Sequence, residues 1–168
     1  MDNLVKKSST IIMLIFMLFL SSCTSNQQVE RKEIINTVEQ LMESIVDEDA
    51  ESVFDFFASD IRNNRKELTI EEIQQAFAYI DGNIISYDAI EICGEEEHKE
   101  NGQISFFHCL PEACNVTTDT GYKYTIRFTY GYIWAEKPER EGVWKICIIN
   151  ENDSDSNIVV GLTYHPDE

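Results

Sequence analysis

Basic residues are scarce in this chain: 13 Lys plus Arg stand against 31 Asp plus Glu, a formal net charge of −18 over 168 residues. A polyanion of this strength repels phosphate backbones and anionic headgroups, which argues against nucleic acid as a partner and against an electrostatic grip on a membrane. Histidine is rare too, with three in the chain. No H-E-x-x-H, C-x-x-C, Gly-rich phosphate loop or G-x-S-x-G elbow occurs, so metalloprotease, dithiol, phosphate-binding and serine-hydrolase chemistry have no motif to rest on. Long apolar runs are also missing. The ten residues Ile11 to Leu20 would make a helix of about 15 Å, half of a ~30 Å hydrocarbon core, which argues against a retained membrane span.

That short run has the layout of a bacterial lipoprotein signal. Lys6 and Lys7 form a positive n-region, Ile11 to Leu20 the apolar h-region, and Leu20-Ser21-Ser22 leads into Cys23. The expected organisation is a signal peptide over 1–22, a lipidated Cys23 with a short polar tether to residue 29, and one domain over 30–168. Attachment is then to the outer face of the cytoplasmic membrane of a Gram-positive type of cell, through a diacylglyceryl or acyl group on Cys23. The 146 residues from Cys23 onward suit one domain and carry 11 basic against 30 acidic residues.

Cys93, Cys109, Cys114 and Cys147 remain, an even number on the oxidising side of a membrane, so one or two disulfides are expected beside the alternative of buried thiols. Leu110-Pro111-Glu112-Ala113 reads as a turn that would bring Cys109 near Cys114. Spacing alone leaves three pairings open. Those two cysteines with His98 or His108 lack the regular spacing of a structural zinc site, and no metal or cofactor is expected.

Ile34, Ile35, Val38, Leu41, Met42, Ile45 and Val46 recur at helical spacing and predict an amphipathic helix from Glu30 to about Asp47. Asp49 suits the N-cap of a second helix that buries Val53, Phe54, Phe56 and Phe57. Arg62 to Glu67 reads as a charged connection, and Thr69 with Glu72 as a capping box opening a third helix that ends near Tyr79, with Gly82 in a left-handed turn. From Asn83 the pattern has period two, giving strands at Ile84–Cys93, Gln103–Cys109, Ala113–Thr118, Tyr122–Trp134 and Val143–Asn150. Helices followed by strands predict an α+β fold, and the turn at Asp119-Thr120-Gly121 predicts a consecutive antiparallel meander.

Alternation along one strand places Tyr122, Tyr124, Ile126, Phe128, Tyr130, Tyr132 and Trp134 on one face. Thirteen extended residues would span roughly 43 Å, too long for a flat strand in a small domain, so a bend is expected at Gly131. Three N-terminal helices on such a curved antiparallel sheet describe a cone. Within it Tyr124, Phe128, Tyr130, Tyr132 and Trp134 are the candidate wall of an apolar pocket, or else ordinary core beneath the helices.

The signal ending at Cys23, the segment Tyr79-Ile80-Asp81-Gly82-Asn83-Ile84-Ile85-Ser86-Tyr87-Asp88 and the hairpin Val116-Thr117-Thr118-Asp119-Thr120-Gly121-Tyr122-Lys123-Tyr124 resemble a family of small clostridial-type lipoproteins of unknown function, DUF5104. The resemblance implies an NTF2-like (cystatin-like) cone. The chain departs from that family's pattern in its extra cysteines and in the acidic Gly94 to Gly102 loop. The family supplies no catalytic residue to transfer, and none is assigned.

Histidines offer little: His98 lies in a charged run read as a solvated loop, His165 in the tail, and His108 in a strand. Asp81 and Asp88 suit turns or caps. Asp153, Asp155 and Asn157 imitate the start of an EF-hand, yet Ile158 stands where that loop needs glycine. The expected function is therefore a non-catalytic binding or accessory domain for an unidentified protein or small ligand. The alternative is a small-molecule binder or a lyase- or isomerase-like enzyme using the aromatic-lined cone. Val143, Cys147 and Ile149 on the outer face of the last strand suggest cover by a second copy, a homodimer through the sheet.

Overall fold

The computed structural model describes residues 30–153 and 155–164. The stretch read as a signal peptide, Cys23, the stretch read as a tether and His165 lie outside the described residues. No described helix is long and apolar enough to cross a membrane. The chain divides into two units at residue 36. The first, described from residue 30, is helical throughout, and the second carries everything from Thr37. Both helical stretches fall within the helix predicted from Glu30 to Asp47.

The second unit is α+β. It opens with helix α1 (residues 37–46), which buries Val38, Leu41, Met42 and Ile45, one apolar stripe at helical spacing. Helix α2 (Ala50–Asp55) is capped as predicted, with the Asp49 side chain accepting from Ser52 N at 3.1 Å and from Ser52 Oγ at 2.7 Å. Four helices rather than three are present among the described residues. The additional one, α3 (Ser59–Asn64), overlaps the stretch read as a charged connection. Its apolar anchor is Ile61, 1% exposed, which a mostly polar hexapeptide conceals from pattern reading. Helix α4 (Lys66–Tyr79) then starts three residues before the expected capping box. Thr69 is buried inside it with no partner for its Oγ1, and Glu72 reaches Arg65 at 3.2 Å and Gly161 N at 3.0 Å instead.

The six strands are β1 (Ile84–Ser86), β2 (Glu91–Glu100), β3 (Gln103–Thr118), β4 (Lys123–Trp134), β5 (Gly142–Asn150) and β6 (Asn157–Gly161). They form one open antiparallel sheet in the order β1-β3-β4-β5-β6, with β2 also on β3. The meander from β3 to β5 and the turn before β4 follow the sequence, Gly121 taking φ +87° and donating to Thr118 O, whereas β6, paired along β5, is not among the strands that the pattern predicts. Three expectations are corrected. The first predicted strand is two, β1 and β2, lying on β3 at its two ends. The acidic segment read as a loop is most of β2, closed by an Asn101-Gly102 turn in which both residues have positive φ. The predicted turn at Leu110 to Ala113 runs straight through β3, where Pro111 pairs with Ile92.

That continuity excludes a Cys109–Cys114 bridge among the pairings considered. Cys109 and Cys114 lie five residues apart on one strand, about 16 Å, far beyond the ~7 Å between Cα atoms that a disulfide tolerates. Cys93, Cys114 and Cys147 are free thiols, and the Cys109 thiol donates to Tyr130 O at 3.9 Å.

Two bulges divide the row of aromatics on β4. On the β3 side, Phe107 pairs with Ile133 and His108 with Gly131, so Tyr132 is the extra residue. On the β5 side, Thr129 pairs with Lys145 and Tyr130 with Val143, so Trp144 is extra. Tyr124, Ile126 and Phe128 are buried on one face, with Tyr79 of α4 edge-on to Tyr124 at 6.1 Å. Beyond the bulge the register sends Trp134, opposite Phe106, to the other face. The bend expected at Gly131 is thus real and does more than curve the strand. Val143 is fully buried, and its cover comes from the chain itself, where Phe57 bridges it and Ala58 N donates to its carbonyl at 2.9 Å.

Candidate functional site

The bulges assemble an aromatic cluster that alternation does not foresee. Phe106, Trp134 and Trp144 meet with centroids 4.9 Å (Phe106–Trp134), 5.5 Å (Trp134–Trp144) and 6.3 Å (Phe106–Trp144) apart. Tyr164, just past β6, stands edge-on to Trp144 at 5.3 Å and to Trp134 at 6.2 Å. A Cβ on Gly131 would lie inside the Trp144 ring, so only glycine lets the indole lie flat on β4.

A polar group is held within these rings. The turn Pro138–Arg140, which joins β4 to β5, sends the Arg140 guanidinium 4.5 Å from the Tyr164 ring centroid and 4.9 Å from that of Trp134. Its Nε lies 4.0 Å from Asp60 Oδ2, and Tyr164 OH donates to that same oxygen. Trp144 Nε1 donates to Arg140 O at 2.5 Å. Burial and the bond to Asp60 push the Tyr164 phenol well above its ordinary range. Arg140 Nη1 is buried and has no acceptor among the described residues. Two rings and one carboxylate surround the guanidinium of the chain's own arginine, and the third ring, Trp144, holds the Arg140 carbonyl.

His108 borders the cluster, its ring 5.4 Å from that of Trp144. Glu96, opposite it on β2, places Oε2 at 3.5 Å from His108 Nδ1 without hydrogen-bond geometry and Oε1 at 3.1 Å from His98 Nε2. Burial lowers the His108 pKa, and Glu96 opposes that shift only in part. His98 is solvent-exposed as expected, but it lies on a strand, beside Phe106, rather than in a loop.

Of the residues read as a pocket wall, Tyr124 and Phe128 are buried in the core, and Tyr124 OH accepts from Asp81 N at 2.9 Å. Tyr130 and Tyr132 are half-buried, Tyr132 edge-on to Phe107 at 6.3 Å, and Trp134 belongs to the cluster. Sequence reasoning missed Arg140, Asp60 and Tyr164, which lie up to 104 residues apart. Two cysteines converge elsewhere, on the buried Glu112 opposite Arg127. Arg127 Nε donates to Glu112 Oε2 at 2.5 Å and the Cys114 thiol to Oε1 at 3.1 Å. That bond, burial and the carboxylate's charge push the Cys114 thiol up to about 11, which makes it a poor nucleophile.

Among the described residues no group of three or more His, Cys, Asp or Glu is arranged to hold a metal ion. Two surface clefts are present, one of about 460 Å³ among Glu43, Asp47, Asp49 and Asp55, the other of about 470 Å³ beside Phe77 and Ile80. The sequence over residues 40–151 matches the model of DUF5104, a domain of unknown function. No curated protein matches the chain.

Proposed function

The chain belongs to the DUF5104 family, and from that premise we propose that it is a non-catalytic binding or accessory domain, held on the outer face of the cytoplasmic membrane by a lipid on Cys23. The observation that carries the binding reading is the occupied receptor: the cluster's central position is taken by Arg140, between Trp134 and Tyr164, and Trp144 is 1% exposed. A substrate cavity needs that volume, whereas a surface that meets a partner does not. An NTF2-like arrangement is part of the same proposal, supported by helices that precede a bulged antiparallel meander. The alternative, a ligand-processing cone, draws its support from His108, half-buried beside Trp144 with Glu96 across the strand pair.

Anchoring rests on the apolar run behind Lys6 and Lys7 and on the small residues before Cys23. In a bacterial host fed labelled palmitate, the full chain takes up label and Cys23→Ala takes up none and stays at precursor mass. Label on the variant would remove the anchor from the proposal. Native mass spectrometry of the full chain extracted from its membrane separates the two functional readings. No retained small organic molecule is expected; one that is retained, and is lost in His108→Gln, establishes the alternative.

A further inference from the structure

We propose, building on the binding reading, that the Trp134–Trp144–Tyr164 cage is the recognition site for an arginine side chain of a basic partner segment, and that Arg140 is an internal stand-in for it. Two rings, Trp134 and Tyr164, beside one carboxylate, with Trp144 closing the third side, are the chemistry that selects a guanidinium: it interacts with aromatic faces and is hydrogen-bonded in plane, which a compact ammonium does less well. Arg140 meets the stacking half of that requirement, at 4.5 and 4.9 Å from two ring centroids. It meets the other half poorly. Its Nε stops at 4.0 Å from Asp60, and its Nη1 is buried without an acceptor. An unpaired buried donor keeps its full desolvation cost, so the internal occupant is a weaker guest than one free to approach Asp60 more closely.

The occupant is mounted on a short, exposed turn. Pro138, Glu139 and Glu141 are exposed. The Trp144 indole bond to Arg140 O and the 3.2 Å bond from Ser59 Oγ to Glu139 O tie the turn to the rest of the protein. Glu141 Oε1 accepts from Trp134 N at 3.0 Å. Lifting the three-residue turn breaks those bonds and the Arg140 contacts but leaves the sheet ladder, which resumes at Gly142, intact. A net charge of −18, with Glu136, Glu139 and Glu141 around the turn, draws a cationic segment toward this end of the sheet. Lys137, 5.4 Å over the Trp134 ring, is a second cation that such a segment must displace, while Arg65, whose charge also acts on Tyr164, is paired with Glu72.

The test is a titration of the full chain with N-acetyl-arginine amide, read by fluorescence of Trp134 and Trp144, the two tryptophans of the sequence. Arg140→Ala is expected to give a saturable change, with wild type binding roughly tenfold more weakly because it must expel its own arginine. The neutral isostere N-acetyl-citrulline amide gives no response at the same concentrations, and Asp60→Asn added to Arg140→Ala abolishes the response. If Arg140→Ala loses its far-ultraviolet dichroism, Arg140→Gln, which keeps most of the stem, takes its place in the same titration. No saturable signal in a folded variant, or an equal response to the citrulline compound, overturns the cage. Such a failure leaves the binding reading standing, since that reading falls only to a retained substrate in the native spectrum.

Discussion

His108 has an imidazole whose environment opposes protonation. Its side chain is 18% exposed and packs against Trp144 and Phe106, and burial outweighs the attraction of Glu96, with His98 adding to the opposition. The unfolded chain, with an ordinary imidazole near 6.5, therefore takes up a proton before the folded protein does. The stability linked to this group is whole above that pH and falls as pH drops from about 6.5 toward the lower folded value. Thermal melts at pH 7.5 and 5.5 should show a smaller loss of Tm in His108→Gln than in wild type; equal losses would remove His108 from the account. Glu112 shifts in the same direction for a different reason, its charged rather than its neutral form being favoured in the folded state, so its stability too is lost as pH falls. Burial pushes its carboxyl up, but the bonds from Cys114 and Arg127 outweigh that and leave its pKa below the ordinary range. Neither shift was legible in the sequence, because burial and the partners across the strand pairs, Arg127 for Glu112 and Glu96 for His108, depend on register, which is a tertiary property.

At the scale of the element, β4 shows how far alternation carries. Tyr124, Ile126 and Phe128 alternate into the core as the pattern requires, and Gly131 marks the irregularity it was expected to mark. The pattern could not tell that Tyr132 and Trp144 would each be an extra residue, because a bulge depends on which partner residues compete for the ladder. Gly131→Ala should destabilise the fold by about 1–3 kcal/mol, since the added methyl overlaps the Trp144 indole and forces an overpacked repair. A fall in the urea midpoint with an unchanged slope checks this, and a midpoint equal to wild type would contradict it. The acidic stretch of β2 escaped reading for a different reason. Glu95, Glu96, Glu97 and Glu100 have low strand propensity and read as solvated, yet pairing with β3 along its edge determines their conformation. Helix α3 escaped because one buried isoleucine in six residues leaves no period to read.

The whole molecule is governed by its charge. With −18 spread over 168 residues, carboxylates repel one another in the folded state more than in the expanded unfolded chain. Raising salt from ~0.01 to ~0.15 M shortens the screening length from about 30 to about 8 Å, so Tm of the full chain should rise across that range. A flat or falling Tm would mean that local pairs such as Arg127–Glu112 and Arg65–Glu72 outweigh the long-range repulsion. What the sequence determined by itself was set by composition and by period: the α+β class, helices ahead of strands, the Asp119–Gly121 hairpin, the capped start of α2 and the family. These are local or summed properties, carried by residues near one another in the chain. Only the tertiary structure decided which residues share a site. Asp60, Trp134, Arg140, Trp144 and Tyr164 come together because two bulges turn a strand face over and the residues after β6 fold back beside α3. Contacts that close over a hundred residues of chain leave no periodic trace in the sequence, and a one-residue shift in register is enough to make or abolish them.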